Sequence, residues 1–598
     1  MKKVFLLAVS TLLLMTSCDD TLDKTPRDKF VNTPEFWNNV NQVESYSNRF
    51  FEDYVGYGQG GSYGWFYFKS LSDDQVNPDF DNWDFTSVPG NSSYWSNPFV
   101  EIRRANYMIT GLQTSTLSET QKKHYIAVAR LNRAWQYYQL VRMYGDVQWF
   151  EEVVLDPDPE GAQSDLIYKE RTDRDVVMDK VLEDLNYAVE NITTSGKNNW
   201  SVDMAQAMKA DICLFEGTYC KYRIAADNGK AADPARAQKF FNECVNACEA
   251  VMAKDYALNS NYGDIYNADD LGNNKEVIFF RNYKYNEVMH STGDYCCSSS
   301  PQRGISKDAI DAFLFRDGKP LATTGLDKSD VPERVLYVQH NSKGEIVKDD
   351  DGNPVILKDA KGNDRYVYSI EKMLSVRDKR LSKLVDPILS LSHHEWERAA
   401  SGSSMASSTG YTIAKYDNIN QDPIDRISIG KNISDAPLWT LPIIYLNYAE
   451  AKAELGSCTQ ADLDKSVNLL QARADVGSIT LSPAADPANN MGVSNLIWEI
   501  RRARRCELMT DNWIRYWDLV RWHQLDKLDS NKYPNINRGA NVAAAMTLDE
   551  DIVYNVDANG YIIVNSANRT YDKKYYFYPI PSSQITLSNG TTTQNPGW

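Results

Sequence analysis

Apolar residues recur with a helical period along much of the chain, most clearly between Lys122 and Phe150. In that stretch the apolar or small residues follow one another at intervals of four, three, four and three: Ala127, Leu131, Ala134, Tyr138 and Val141. The spacing predicts a helix with one continuous face turned toward other helices. Gly145 follows directly after Tyr144, where a left-handed residue would end the helix, and an extended segment begins at Asp146.

The same period predicts further helices in two groups. The first group covers residues 34–54, 98–111, 201–222 and 234–252, and the second resumes at 443–453, 463–474 and 513–520. Short turns bearing glycine, such as Leu455–Gly456, are typical of tetratricopeptide-type hairpins with degenerate repeats. Because the repeats are interrupted, we expect one folded body that carries an inserted lobe.

The interruption, roughly residues 256–436, has the pattern of loops and strands. Turns at Lys343–Gly344, Asp351–Gly352 and Lys361–Gly362 separate short runs that contain Val or Ile, which predicts hairpins. A second polar stretch, 69–100, is rich in Asn, Asp, Ser and Pro, and we expect it to be a long loop. Long ordered loops on a rigid scaffold are usually functional.

A glycine-rich stretch, Gly56–Gly64, contains both G-x-G-x-x-G and G-x-S-x-G. Both motifs require a strand before them and a helix after them, whereas here a helix precedes and the extended aromatic run Trp65–Phe68 follows. The stretch is therefore predicted to be an irregular surface loop and neither a nucleotide-binding turn nor a nucleophile elbow.

Composition and charge narrow the possible ligands. The formal net charge of -17 argues against a nucleic-acid partner, which needs a basic footprint. The 36 Tyr and 14 Trp exceed what a helical core needs. Exposed aromatic rings suit carbohydrate, because sugar faces are flat and partly apolar.

The N-terminus predicts export and lipidation. Lys2 and Lys3 precede the apolar run Val4–Met15, and Thr16-Ser17-Cys18 follows. A cysteine in this position resembles the bacterial lipobox and implies cleavage before Cys18 and lipidation of its thiol. Elsewhere the chain has no apolar run of the roughly 20 residues that a membrane span needs. We therefore expect the protein to be attached to a membrane by lipid without crossing it.

Cysteine and histidine spacing predicts no metal centre. Eight cysteines follow Cys18, but none forms a Cys-x-x-Cys pair or a Cys/His cluster of the kind that binds zinc. We expect no cofactor other than the lipid on Cys18. Structural calcium and disulfide pairing stay open at this point.

Several phrases of the sequence resemble those of the SusD/RagB family of outer-membrane lipoproteins. The run RAWQYYQLVRMYGDV, from Arg133 to Val147, resembles the family's R-A-x-x-Y-x-x-L-V-x-x-Y-G-D-V-P helix, with Gln148 in place of proline. Other similar phrases occur in the family's order: Leu71–Asp74, Ala309–Gly318, Ser375–Leu381, Tyr445–Ala451, Arg501–Leu508, Tyr516–Trp522 and Tyr578–Pro581.

The resemblance implies a mainly α, SusD-like fold with a tetratricopeptide-type helical-repeat scaffold and an inserted irregular loop and hairpin lobe. The implied organisation is a lipoprotein signal peptide at 1–17, a lipidated tether at 18–32, an N-terminal helical region at 33–255, a loop- and strand-rich lobe at 256–436, and a C-terminal SusD/RagB helical region at 437–598.

The function implied by the resemblance is non-enzymatic capture of a glycan at the cell surface. Family members of this kind pass the glycan to a SusC-like TonB-dependent barrel in the outer membrane and act as its lid. The alternative within the family is peptide capture of the RagB type. A surface glycoside hydrolase is a third class, and it would need two carboxylates about 5 to 10 Å apart. The 81 Asp and Glu residues always offer such pairs, so their number decides nothing.

The resemblance also points to candidate ligand-binding residues in two segments. They are Trp65, Asp73, Asp74, Asn82 and Trp83 in the early loop, and Tyr285 and Tyr295 within 283–303. Aromatic rings would stack on sugar rings, while carboxylates and amides would bond to vicinal hydroxyls.

Overall fold

The computed structural model describes residues 33–62, 64–66, 71–78, 83–153, 161–299 and 303–598, and it leaves out the side chains of Asp227 and Asn228. Within these ranges, no helix is both long enough and apolar enough to cross a bilayer. The predicted signal peptide, the tether with Cys18, and Asn82 lie outside the described residues.

Helices dominate the described part of the N-terminal region. They are α1 Pro34–Trp37, α2 Val40–Asn48, α3 Ser93–Gln113, α4 Glu119–Tyr144, α5 Ser164–Ile167, α6 Arg174–Asn191, α7 Val202–Tyr222, α8 Ala225–Asn228 and α9 Pro234–Met252. A 3-10 turn at Arg49–Asp53 and the strand β1 Gln75–Val76 lie between α2 and α3. The predicted helices 201–222 and 234–252 are confirmed as α7 and α9.

The middle of the chain consists of short strands, short helices and loops, as predicted. Its elements are β2 Val277–Arg281, α10 Thr292–Cys297, β3 Gly304–Ile305, α11 Lys307–Ala312, β4 Glu333–Leu336, β5 Tyr366–Ser369, α12 Glu371–Ser375, α13 Leu381–Leu384, β6 Ile388–Leu389, α14 Pro423–Arg426 and β7 Ala436–Thr440, with a 3-10 turn at Tyr262–Ile265. Strands β4, β5 and β6 form an antiparallel sheet. The predicted hairpins turn at Gly344, Gly352 and Gly362, all with positive φ.

The C-terminal region returns to helices. It contains α15 Leu441–Glu454, α16 Gln460–Asp464, α17 Val467–Arg473, α18 Asn495–Glu507, α19 Ile514–Arg521, β8 Arg538–Asn541, α20 Ala543–Leu548, β9 Tyr561–Ile563 and α21 Ser582–Leu587. Three 3-10 turns lie among them, at Leu525–Leu528, Pro534–Asn537 and Lys573–Tyr576. Strands β8 and β9 pair antiparallel.

The long helices pack side by side in chain order, α3 on α4, α4 on α6, α6 on α7 and α7 on α9. Helix α9 then packs against α15, although the whole middle region separates the two in sequence. Antiparallel strands β2 and β7, paired from Val277 with Thr440 to Arg281 with Ala436, join the two ends of that region. The predicted helical-repeat scaffold with an inserted lobe is therefore confirmed.

The predicted start of the helix after the early loop is wrong. Helix α3 begins at Ser93, and Pro98 lies inside it, where a proline removes one backbone hydrogen bond. Trp95, in the first turn, packs edge-on against Tyr144 with ring centroids 4.9 Å apart. This contact with α4 stabilises the first turn of α3, which the polar sequence and the internal proline do not predict to be helical.

The helix predicted for residues 34–54 is also divided. Helices α1 and α2 are separated at Asn38–Asn39, and a 3-10 turn follows α2. The Asn39 side chain accepts hydrogen bonds from the backbone N–H groups of Asn41 (3.1 Å) and Gln42 (3.4 Å). Asparagine thus caps a new helix where the apolar period alone predicts a continuous one.

Residues in the sequence segments that resemble the family connect the helices of this scaffold. Arg133 on α4 bonds to Asp184 on α6 at 2.7 and 2.8 Å and donates to Asn106 Oδ1 on α3 at 2.8 Å. Glu450 on α15 accepts two hydrogen bonds of 2.7 Å from Arg521 on α19. Each group is buried, so these phrases encode connections between helices.

Candidate ligand-binding face

Three segments that are distant in sequence meet at one surface of the protein. They are residues 56–62, 282–299 and 419–434, and together we name them the glycine-loop face. The first belongs to the glycine-rich loop, the second contains the predicted ligand segment, and the third precedes β7. The face therefore lies where the inserted lobe meets the N-terminal region.

Hydrogen bonds fix the three segments to one another. Gly60 N–H donates to Met289 O at 2.7 Å, and Ser291 Oγ donates to Gly60 O at 2.7 Å. Gly430 N–H donates to Ser291 Oγ at 2.8 Å. A single serine hydroxyl thus connects all three segments.

Glycine is required in the loop by close contact and by backbone geometry. A Cβ on Gly64 would lie 2.1 Å from the Gly56 carbonyl oxygen, which no side chain allows. Gly60 has a φ of 57°, a left-handed conformation that disfavours other residues. The glycines that mimic catalytic motifs therefore serve to fold this loop, as predicted.

A buried aromatic cluster supports the face from below. The rings of Tyr57 and Tyr283 lie 5.0 and 4.6 Å from the ring of His290. Tyr283 donates its hydroxyl hydrogen to Gly58 O at 2.8 Å. Burial lowers the pKa of His290 to about 3, so this imidazole is neutral at pH 7. The imidazole at the centre of this support therefore carries no charge.

The outer side of the face offers an aromatic ring together with apolar and amide groups. Tyr285 is 47% exposed, and it is the only aromatic side chain among the described residues that is exposed. Ile429 and Ile424 are 67% and 58% exposed. The amides of Gln59 and Asn286 are also exposed. Such a surface can stack on a sugar ring and bond to hydroxyls, or it can cover an apolar side chain.

Three predicted site residues occur in or beside this face. Tyr285 lies on its exposed side. Tyr295, in α10, is buried beneath it, with its hydroxyl 3.5 Å from Gly61 O. Trp65 is half-buried and lines a small interior cavity of about 50 Å³ with Trp135 and Trp517. A direct role in ligand binding stays a prediction for all three.

Trp83 is not the exposed platform that the loop sequence suggests. It is 8% exposed and stacks on Tyr575 with ring centroids 4.0 Å apart and planes within 6°. Its indole N–H donates to Thr570 O at 3.0 Å. The ring is held in the core by the C-terminal segment, which the local sequence does not reveal.

Asp73 and Asp74 are buried in ion pairs. Arg515 holds Asp73 in a bidentate pair at 2.6 and 2.7 Å, and Arg505 Nε donates to Asp74 Oδ1 at 2.7 Å. Burial alone would raise the pKa of Asp73, but Arg505 and Arg515 outweigh it and lower that pKa below its ordinary value. Both carboxylates are buried and paired with arginines, and among the described residues Asp74 Oδ2 has no hydrogen-bond partner. A role of either carboxylate in ligand binding stays a prediction.

Asp73 does line a separate cavity of about 350 Å³, whose walls come largely from α11, α18 and residues 486–491. A cavity of about 430 Å³ lies between α3 and α21 and is lined mainly by apolar groups such as Phe99 and Phe150. Neither cavity is lined by a residue of the glycine-loop face.

One described group of acidic and thiol side chains has the spacing of metal ligands, namely Asp175, Glu216 and Cys220. Arg174 and Arg236 bond to the same carboxylates, and Arg236 Nε lies 3.1 Å from Glu216 Oε1. Guanidinium groups already neutralise the acids here. We interpret the group as an ion-pair network between α6, α7 and α9.

The sequence predicted one segment of the face and missed another. Tyr285 stands out because it lies in a polar run, Lys284–Glu287. Ile424 and Ile429 were missed because isolated isoleucines in a polar segment carry no periodic signal. The available clue was a pair of apolar residues close to Pro423 and Gly430, where a turn exposes side chains.

Family models match most of the chain. The model described as "SusD family" matches residues 248–598, and one described as "Starch-binding associating with outer membrane" matches residues 35–210. A "SusD-like protein" of Bacteroides ovatus is 25% identical over 293 residues, which are 46% of this chain and 49% of that protein. "SusD-like protein P2" of Formosa agariphila is 25% identical over 243 residues, 40% of this chain and 46% of that protein. The alignments thus span about half the length of these relatives.

Solved structures share the fold. A SusD-like carbohydrate-binding protein from Bacteroides fragilis superposes with a TM-score of 0.64 at 19% identity, covering 92% of this chain and 99% of that one. A protein described as a laminarin-binding SusD-like protein superposes with a TM-score of 0.53 at 16% identity, covering 94% and 100%. At such identities the likeness establishes the architecture alone.

Proposed function

Since this chain belongs to the SusD family, we propose that it is a non-enzymatic, cell-surface lipoprotein that binds a glycan and delivers it to a SusC-like TonB-dependent transporter. The proposal that the ligand is a glycan rests on the exposed Tyr285 ring on the glycine-loop face. The C–H faces of a sugar stack favourably on such a ring. The names of the starch-binding family model and of the laminarin-binding structure support the same ligand class.

Polar groups around Tyr285 suit sugar hydroxyls. Exposed amides at Gln59, Asn286 and Asn420 each carry both a donor and an acceptor. The Lys431 ammonium lies 5.8 Å from the centre of the Tyr285 ring and adds one cation. Tyr285 lies in sequence between Lys284 and Glu287, whose exposed side chains pair at 2.5 Å and so balance each other's charge.

A glycan array tests this proposal. The full chain, purified in detergent, is screened beside Tyr285→Ala, with Tyr168→Ala as the matched control because Tyr168 is a partly exposed tyrosine outside the face. We expect a selective set of glycans that is lost with Tyr285→Ala and kept with Tyr168→Ala. A set that both variants keep would place the binding site elsewhere.

Peptide capture is the second candidate, and the exposed isoleucines favour it. Ile424 and Ile429 share the face with Tyr285, and Ile429 packs against Gly61. Apolar patches of this kind mark surfaces that bind other proteins or peptides. A blank glycan array together with binding to an oligopeptide library, reduced by Ile429→Ser, would establish this alternative in place of the first.

Attachment to the membrane is proposed to occur through Cys18. The apolar run Val4–Met15 followed by Cys18 supports cleavage and lipidation at that residue. A single acyl chain binds membranes only marginally, so the several chains of a lipoprotein cysteine give stable attachment. We expect Cys18→Ser to release the protein from the membrane fraction, and mass spectrometry of the N-terminal peptide to show the acyl chains.

The transporter partner and the lid role rest on membership of the family. We expect a TonB-dependent barrel to co-purify with the protein from gently solubilised outer membranes. If other outer-membrane complexes are recovered intact but this protein is isolated without such a barrel, the proposed transporter partner would be contradicted. Release of reducing ends from a bound glycan by the purified protein would contradict the non-enzymatic assignment.

A further inference from the structure

The exposed Tyr285 ring stands on a tight turn formed by residues 284–287. The backbone N–H of Glu287 donates to Lys284 O at 3.1 Å, which closes the turn. Lys284 and Val288 pair as an antiparallel bridge, in which Lys284 N–H donates to Val288 O at 2.8 Å. Tyr285 is therefore the second residue of a four-residue turn at the tip of a hairpin.

Both arms of this hairpin are fixed at its base. On the incoming arm, Tyr283 N–H donates to Asp435 Oδ1 at 2.9 Å. On the outgoing arm, His290 and Asn432 exchange two backbone hydrogen bonds of 2.9 Å. The outgoing arm also bonds to the glycine-rich loop. Because the base is held in this way, the conformation of the turn itself decides where the Tyr285 ring stands.

Asn286, the third residue of the turn, has a left-handed backbone. Its φ is 63°, and among the described residues of the glycine-loop face it is the only one other than glycine with a positive φ. A turn whose φ is positive at the third residue alone has the dihedral signs of type II, which requires Gly or Asn at that position. Residues with a branched Cβ strongly disfavour this conformation. The residue type at position 286 therefore decides whether this turn forms.

The side chains of the turn add little to its stability. Lys284 and Glu287 pair across the turn at 2.5 Å, but both side chains are more than half exposed. Exposed pairs of this kind contribute little free energy. The backbone at Asn286 is therefore the main local determinant of how the Tyr285 ring is presented.

We propose that Asn286 is a positioning residue of the binding face, and that its left-handed backbone fixes the turn that presents the Tyr285 ring to the ligand. The inference rests on the proposed function, since it takes this ring as the ligand platform. A sugar stacks on the face of an aromatic ring, so the ring must be correctly inclined. A turn that is formed before binding spares the ligand the cost of ordering it. Asn286 therefore acts through Tyr285, apart from any hydrogen bond that its own amide makes.

Two substitutions separate the backbone of Asn286 from its amide. Asn286→Gly removes the amide and keeps a residue that adopts positive φ freely, whereas Asn286→Val removes the amide and disfavours that φ. Surface plasmon resonance of the full chain in detergent, with the glycan selected on the array, measures the rate constants of association and dissociation.

We expect the association rate constant of Asn286→Val to be about fivefold or more below that of Asn286→Gly, because fewer molecules hold the turn ready for the ligand. The dissociation rate constants of the two variants should be similar, whereas the loss of a direct contact acts mainly on dissociation. Equal association rate constants for the two variants would overturn the proposal.

Asn589→Val is the matched control, because Asn589 is an exposed asparagine with a φ of 51° that lies outside the face. We expect it to bind the glycan as wild type does, and a fall as large as that of Asn286→Val would overturn the specific role of Asn286. If Tyr285→Ala binds the glycan as tightly as wild type, both the proposed site and the role of Asn286 are wrong. If Tyr285→Ala loses the glycan while Asn286→Gly and Asn286→Val associate equally fast, the inference about Asn286 alone is wrong.

Crystal structures of the two variants give a readout that needs no ligand. We expect Asn286→Gly to keep the hydrogen bond from Glu287 N–H to Lys284 O. Asn286→Val should lose this bond and change the direction of the Tyr285 side chain. A valine variant with an unchanged turn would overturn the proposal.

Discussion

Aromatic side chains in this protein have two separate roles, and burial distinguishes them. Trp83 is enclosed between the early loop and the C-terminal segment, whereas Tyr285 stands exposed on the glycine-loop face. We expect Trp83→Ala to lower the free energy of unfolding by about 3 to 5 kcal/mol, because it leaves a cavity in the core. Tyr285→Ala should change it by no more than about 0.5 kcal/mol.

Urea unfolding followed by fluorescence measures both values. A Trp83→Ala variant as stable as wild type would show that the stack on Tyr575 contributes little. It would also return Trp83 to the set of candidate ligand platforms.

His290 should make the protein less stable in mild acid. Its pKa is about 3 in the folded protein because of burial, against 6.5 for the free group. As the pH falls below 6.5, the imidazole therefore binds a proton in the unfolded chain but not in the native protein. At pH 5 this contributes a loss of about 2 kcal/mol relative to pH 7.5.

The measurement compares wild type with His290→Gln at pH 7.5 and pH 5. Buried acids such as Glu276, with a pKa raised to about 7, and Asp435, with a pKa raised to about 6, act in the opposite direction, since they bind protons in the native state first. The difference between the two proteins isolates the histidine. An identical pH dependence in both would contradict the buried neutral imidazole.

Close packing of helices explains the glycine within α3. A Cβ on Gly111 would lie 2.3 Å from Cε2 of Trp37 in α1, so the two helices approach too closely for any side chain. Gly111→Ala should therefore destabilise the protein by about 1 to 3 kcal/mol. This outweighs the gain of about 1 kcal/mol in helix propensity.

A double-mutant cycle checks the cause. In a Trp37→Leu background, which frees space, Gly111→Ala should cost less than in the wild type. Equal costs in both backgrounds would mean that the indole ring is not the obstacle.

Helices with a complete local signal could be predicted from sequence. Helix α9 has Asp233 as its cap, Pro234 at its first position and an unbroken apolar period, so its bounds followed directly. The start of helix α3 could not be placed, because its first turn depends on the contact of Trp95 with Tyr144 in another helix. Local patterns fix an element only where tertiary contacts do not overrule them.

At the scale of the whole molecule, buried polar contacts attach the lobe to the scaffold. Lys415 Nζ donates to Asp511 Oδ1 at 2.6 Å and to Met509 O at 2.9 Å, and Tyr416 bonds to Thr510. Lys415→Met would leave Asp511 buried with its charge uncompensated. We expect a loss of about 3 to 5 kcal/mol and earlier proteolytic cleavage within 256–436.

Limited proteolysis of wild type and Lys415→Met, with Lys431→Met as a more exposed control in the lobe, gives the comparison. Equal cleavage rates would show that the lobe is held by other contacts.

The candidate site was only partly predictable, because some of its contacts are made by residues that lie far away along the chain. Tyr285 is exposed because its own neighbours are polar, and the sequence shows this. Asp73 looked free, yet Arg515, 442 residues further along the chain, binds it. Sequence patterns report local chemistry, and they do not show which distant cation occupies a carboxylate.

Titration of the best glycan from the array into three proteins tests most directly whether the glycine-loop face binds sugar. With wild type, Tyr285→Ala and Tyr168→Ala compared in a calorimeter, we expect the affinity to fall about tenfold or more, a loss of about 1.4 kcal/mol or greater, for Tyr285→Ala alone. Equal affinities for all three, at equal stability, would contradict a glycan site at this face.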